Sequence, residues 1–254
     1  MALPVSPSFS LVGRRALVAG ASSGIGAACA VALARAGAHV FLSARRATEL
    51  NKLVGELQTE GLQASALVMD VSNVSQTQEL VDTHGPFDVL VNSAGLARHG
   101  TAIDTQATDF DAVMNLNVRG AYFLTQAVAK GLLAHGKPGS LINISSQMAH
   151  IGGQDRAVYC ASKHAVEGFT KAMSIEWGKQ GIRVNTICPT FVLTELTAVT
   201  FADPEKRAWI DSKIKLNRVG SVHDVMGAVV YLACDASSLV TGSSLTLAGA
   251  ETAG

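Results

Sequence analysis

Tyr159 and Lys163, in the run Tyr159-Cys160-Ala161-Ser162-Lys163, have the types and spacing to move a proton. On a helix a four-residue offset sets phenol and ammonium on one face. A free phenol ionises only at about pH 10. A cation beside it stabilises the phenolate and brings proton exchange within reach near neutrality, which would make the tyrosine a general acid or base. Alone, Y-x-x-x-K is a common pair, but Ser145 and Ser146 close an apolar run upstream, and Ser146 lies 13 residues before Tyr159. A hydroxyl there could hydrogen-bond a substrate oxygen.

A second constellation could hold a dinucleotide. Gly20-Ala21-Ser22-Ser23-Gly24-Ile25-Gly26 follows an apolar run and leads into an alanine-rich segment. Glycines so placed let a main chain turn tightly and approach a pyrophosphate at a helix N-terminus. The spacing is G-x-x-x-G-x-G, not G-x-G-x-x-G. Some 20 residues on, where an acid would bind ribose hydroxyls, the chain reads Ser43-Ala44-Arg45-Arg46. No carboxylate is there to repel a 2′-phosphate, and two guanidiniums could pair with one, which favours NADP(H) over NAD(H). Two solvated arginines opening a helix are the alternative. Asp70 and Asn92-Ser93-Ala94-Gly95 fall where later strands should end, the edge at which open α/β sheets bind ligands.

The elements that must position these residues show in the rhythm of the chain. RRALVAG, HVFLSA, ASALVMD, DVLVNSAG, GSLINISS and IRVNTICP are strand candidates, and longer stretches of helical period separate most of them. That alternation predicts an α/β fold: a single domain with a doubly wound, Rossmann-type parallel sheet of about seven strands and helices on both faces. Gly37 should stop the first helix, and Thr108 with Asp111 should cap a later one. Residues 1–9 read as a loose leader. Residues 190–217, carrying Phe191, Leu193, Leu196, Phe201 and Trp209, read as a substrate loop or a helical hairpin.

Composition narrows the function. Lys plus Arg and Asp plus Glu each total 20, so no basic field gathers nucleic acid or anionic lipid. No apolar run reaches the roughly 18 residues of a membrane span, and the N-terminus lacks a signal-peptide pattern. A cytoplasmic protein is expected, without nucleic-acid or membrane partners. Cys29, Cys160, Cys188 and Cys234 form no C-x-x-C pair, and the seven histidines show no ligand spacing, so no metal is expected.

Taken together, AGASSGIG, NSAG, the asparagine of Leu116-Asn117-Val118, Ser146, Tyr159 and Lys163 resemble the short-chain dehydrogenase/reductase family, over roughly Ser10 to Gly249. The resemblance implies Tyr159 as acid/base, Ser146 orienting the carbonyl or hydroxyl, Lys163 supporting the phenolate and the nicotinamide ribose, and Asn117 holding a relay water. It implies a cofactor held by Gly20, Ser22, Ser23, Gly24, Ile25 and Gly26, by Arg45 and Arg46, by Asp70 and Val71 near the adenine, by Asn92, Ala94 and Gly95, and by Pro189, Val192 and Thr194 towards the nicotinamide. Ser146, Met148, Gln154, Tyr159 and Phe191 would meet substrate, with Gln147, His150 and the loop around Trp209 as further wall candidates. Ala19, Ser93 and Thr190 stand where relatives usually carry threonine, asparagine and glycine, and Leu247-Ala248-Gly249-Ala250 replaces a common D-G-G. A homo-oligomer, tetramer or dimer, packed through the helices after the fourth and fifth strands, is implied too. Three readings follow: an NADP(H)-dependent reductase of a carbonyl or sugar, an NAD-dependent polyol dehydrogenase, and a non-catalytic dinucleotide sensor. The intact Asn117, Ser146, Tyr159 and Lys163 set speaks against the last.

Overall fold

Along β1 (Arg15–Ala19), Ala16 and Val18 point into one cluster of buried side chains and Leu17 and Ala19 into another. This is the period-two alternation of a strand buried on both faces, as a parallel sheet with helical crossovers requires. The computed structural model describes residues 3–195 and 197–253, without the Val199 side chain; Leu196 of the expected loop lies outside the described residues.

The other strands are β2 (His39–Ala44), β3 (Ala64–Val68), β4 (Val89–Asn92), β5 (Gly139–Ile144), β6 (Ile182–Pro189) and β7 (Ser244–Leu247). All pair in parallel in one seven-stranded sheet of order β3-β2-β1-β4-β5-β6-β7. The doubly wound expectation therefore holds. On one face pack α1 (Gly24–Arg35), α2 (Ala47–Thr59) and α9 (Val222–Ala233), through side chains such as Leu33, Leu50 and Val229. On the other pack α3 (Val74–His84), α5 (Ala121–Ala134) and α6 (Ala157–Trp177), through Val81, Leu124 and Met173. Between β4 and α5 lie α4 (Ala107–Met114) and a π-helical turn, Asn115–Gly120. Such turns recur at functional sites.

Gly37, at φ +104°, ends α1 as expected. The cap at Thr108 is wrong by register: α4 begins at Ala107 behind Gln106, so Thr108 already lies inside the helix. β7 was not among the six strand candidates. Residues 190–217 hold α7 (Ala198–Ala202) and α8 (Pro204–Lys213), the latter capped by the Asp203 carboxylate, which accepts from the Glu205 and Lys206 main-chain N–H groups. Residues 3–10 form no regular element. Among the described residues no helix is long and apolar enough to cross a membrane.

The start of α9 depends on Asp224, which accepts from Ser221 N at 2.7 Å and from both terminal nitrogens of Arg218 at 2.7 Å. The Arg218 hydrogen bond first, then the Ser221 main-chain N–H, hold this carboxyl well below the usual carboxylate range. A depressed folded value means stability that is fully present above the ordinary value and lost as pH falls through the folded one. Asp224→Asn should therefore cost about 1 kcal/mol at pH 7, the typical worth of a cap. In urea titrations its deficit against the wild type should narrow below about pH 4.

Candidate active site

The carboxyl ends of the six strands β1 to β6 lie along one edge of the sheet, and β1 with β4 marks the point where strand order reverses. The glycine turn crosses that point. A Cβ at Gly20 (φ +76°) would lie 2.7 Å from Ala94 N, and one at Gly26 would lie 2.1 Å from Gly20 O. The turn is folded so tightly on itself and on the end of β4 that side chains are excluded there. Main-chain N–H groups at the start of α1 are thereby left open to a ligand, the cradle that a pyrophosphate needs. The residues present thus fit a dinucleotide.

Around this turn the sequence-predicted cofactor residues come together. Arg46 donates to the hydroxyls of Ser22 and Ser23 at 2.9 and 2.8 Å and pairs with Glu49 at 3.6 Å. Arg45 is exposed and close enough to act on Asp70. Burial pushes the Asp70 carboxyl up, but hydrogen bonds from the Ser72 hydroxyl and N–H, with the Arg45 charge, outweigh it and hold the group below its ordinary value. Ile25 is half-buried beside the turn, and Val71 is buried after β3. Asn92, buried at the end of β4, accepts from Ala94 N and donates to Asn143, both at 3.2 Å, which fixes the strand end leading to Gly95. From the far side, Thr194 brings its Cγ2 to 3.5 Å from where a Gly24 Cβ would stand. Pro189 and Val192 are buried beneath it, and Val192 bridges to Gly220.

The residues expected to move a proton come together on α6, after β5 and in the π turn. Tyr159 is the third residue of α6, and Lys163, one turn on, holds Nζ 5.6 Å from the centre of the tyrosine ring. Lys163 is 6% exposed and donates to Ile144 O at 2.9 Å, which ties the helix to the end of β5. Ser146 follows that strand, 8% exposed, its hydroxyl accepting from Met148 N at 3.1 Å. Asn117, in the π turn, is buried and its amide is fully engaged: Oδ1 accepts from Leu96 N at 2.8 Å, and Nδ2 donates to Leu96 O at 2.8 Å and Ser162 Oγ at 3.1 Å. Ser162 in turn donates to Tyr159 O at 2.7 Å. A chain of hydrogen bonds thus runs from the loop after β4 to the turn of α6 that carries the tyrosine.

The wall candidates divide. Met148 is buried behind Ser146, Gln154 is exposed, and Phe191 meets Trp209 edge to face at 6.1 Å. Gln147 is 2% exposed and donates to Glu251 at 3.4 Å, and Thr190 also donates to Glu251, so both are tied to the C-terminal segment. His150 faces another group: its ring, the Glu167 carboxylate and Cys188 Sγ gather within 4.8 Å. Burial, then the Glu167 charge, pushes the Cys188 thiol up to about 12. The sulfur stays protonated and donates to Glu167, which also accepts from Thr186 at 3.0 Å and from Ser244. This is a satisfied hydrogen-bond network linking α6 to β6 and β7. His99 and Arg156, not singled out in the sequence, lie beside Tyr159 and Phe191 respectively.

A family model described as enoyl-(acyl carrier protein) reductase matches residues 20–249. The chain is 38% identical to D-erythrulose reductase of Gallus gallus over 96% of its length and 98% of the relative's, and 37% identical to gluconate 5-dehydrogenase of Gluconobacter oxydans over 96% of each. A solved gluconate 5-dehydrogenase from Burkholderia cenocepacia, in complex with NADP and tartrate, superposes with a TM-score of 0.93 at 34% identity, covering 97% of this chain and 98% of that one. The chain belongs to the short-chain dehydrogenase/reductase family. In this short-chain dehydrogenase/reductase the departures at Thr190 and in the tail meet in space, Thr190 N donating to Leu247 O at 3.0 Å. Ala19, at the end of β1, still accepts from Ser93 N through its main chain at 2.9 Å, so the strand ends keep their spacing.

The turn gives a direct test. Gly26→Ala should lower stability by about 1–3 kcal/mol, the cost of overpacking, although alanine favours helix. An unchanged denaturant midpoint would show that the turn relaxes freely.

Proposed function

We propose that this short-chain dehydrogenase/reductase interconverts a ketone of a sugar or polyol and its secondary alcohol with NADP(H), using Tyr159 as acid and base. The observation that carries the reading is Lys163, buried and held by Ile144 O one helical turn behind the Tyr159 ring. The sugar and polyol names of the relatives, and the NADP in the Burkholderia structure, support the substrate class and the cofactor.

Bound NADPH supplies a hydride to the carbonyl carbon, and NADP+ accepts one in the reverse direction. The chain's own residues manage the oxygen. Ser146 Oγ donates a hydrogen bond to it and fixes its direction, and Tyr159 gives its phenolic proton as negative charge grows there, so that C=O gains one hydride and one proton and becomes CH–OH. The Lys163 ammonium stabilises the phenolate left behind, and solvent returns the proton. Both N–H groups of the Asn117 amide are engaged, so its side chain fixes the Leu96 loop and the Tyr159 turn, and a relay water there would be held by main-chain groups. Arg45 and Arg46 present guanidiniums to the 2′-phosphate, Arg46 already docked on Ser22 and Ser23. Met148 and Phe191 form the apolar wall of the substrate site. As a homo-oligomer, copies would meet on the face of α4 and α5, where Met114, Val118, Tyr122 and Phe123 line a cavity of about 720 Å3.

Tyr159→Phe should fold, bind NADPH in a fluorescence titration, and lose on the order of 100-fold or more in kcat on ketose substrates. Near-full turnover would contradict the mechanism. Arg45→Asp should move the affinity ratio towards NADH, and an unchanged ratio would make Arg45 a surface charge only.

A further inference from the structure

Three residues before Tyr159, at the N-cap of α6, Arg156 is half-buried among residues that open towards the tyrosine. Its Nη1 lies 2.8 Å from Nε2 and 3.2 Å from Nδ1 of His99, and its Cζ lies 5.8 Å from the centre of the Phe191 ring. His99 in turn stands edge to face with Tyr159, ring centres 6.4 Å apart. Met148 closes the same wall: a Cβ at Gly153 would meet its Sδ at 2.7 Å and Arg156 Cδ at 3.0 Å.

The guanidinium is not neutralised. Arg14, Arg35, Arg98, Arg207 and Arg218 each pair with a carboxylate, but among the described residues no carboxylate lies within 4.0 Å of Arg156. Asp155, its neighbour, has a left-handed backbone (φ +58°), and its carbonyl accepts from Gly100 N at 3.1 Å. Burial and then the Arg156 charge hold His99 below its ordinary value, against a smaller pull from Asp155. The imidazole is therefore neutral at pH 7, and the wall carries one unshared positive charge. Arg156 is half-buried and His99 exposed, and a planar guanidinium is the side chain best suited to grip a carboxylate with two parallel hydrogen bonds.

We infer that Arg156 binds the carboxylate of an acidic sugar, a keto-aldonate in reduction or its aldonate in oxidation, and so sets a preference for anionic over neutral sugar substrates. The inference rests on the oxidoreductase reading above and names its substrate class. Phe191 stands against the guanidinium, and the carboxylate would lie one ring, that of His99, away from the phenol that meets the reacting oxygen.

The test measures kcat/KM of the full chain with NADPH on 5-keto-gluconate and on D-fructose, a neutral ketose of equal length, for the wild type, Arg156→Gln and Arg156→Lys. The wild type should favour the keto-aldonate. Arg156→Gln should lower the keto-aldonate to ketose ratio about 30-fold, mainly through KM, as expected for loss of a charge-assisted pair bound equally in ground and transition states. Arg156→Lys should recover part of it. A ratio unchanged in Arg156→Gln, or a wild type that favours the neutral ketose, overturns the inference while leaving the oxidoreductase reading intact. No turnover of either sugar by the wild type overturns both.

Discussion

The Lys163 ammonium is buried at the edge of the sheet with a single hydrogen-bond partner among the described residues, the main-chain oxygen of Ile144. An ammonium has three hydrogens to place, and burying one so sparsely is costly. The fold sustains that cost by packing α6 against β6 and the turn that follows β5. The same helix carries Tyr159 one turn earlier and Glu167 one turn later, the latter accepting from Thr186, Cys188 and Ser244. The end of α6 that carries Tyr159 and Lys163 is thus braced by a polar network further along the helix.

Parallel pairing decides where everything else can be. With every strand running the same way, the glycine turn, Asp70, Asn92, Ser146 and Pro189 all emerge at one edge. The helices that return the chain bury both faces in separate cores. The cleft is therefore built from loops whose positions are set by strand ends, and small details adjust its chemistry: an arginine docked on two serines, an asparagine bonded to the next loop, a threonine tied to the tail.

What could be read from sequence was what depends on short spacing. Six strands follow from short apolar runs, the glycine turn from its spacing, and the Tyr159–Lys163 face from a four-residue offset, all of which local geometry converts directly into position. β7 escaped because Ser244–Leu247 is short and sets two leucines between polar residues, without the near-continuous apolar run that marks the other strands. The cap at Thr108 failed because the helix began one residue before it. The π turn at Asn117 has no sequence period, and the pairs Gln147 with Glu251 and His99 with Arg156 join residues 104 and 57 apart in the chain. Such contacts are products of tertiary packing, so the burial of Gln147, a wall candidate, and its bond to Glu251 could not be read from the sequence.

The most direct test of the account is the fate of the transferred hydrogen. NADPH carrying deuterium on the reactive face of nicotinamide C4, mixed with the enzyme and a keto sugar, should yield an alcohol with one deuterium at the former carbonyl carbon, seen by mass spectrometry. An alcohol free of deuterium, or tight cofactor binding with no alcohol formed from any keto sugar, would contradict it.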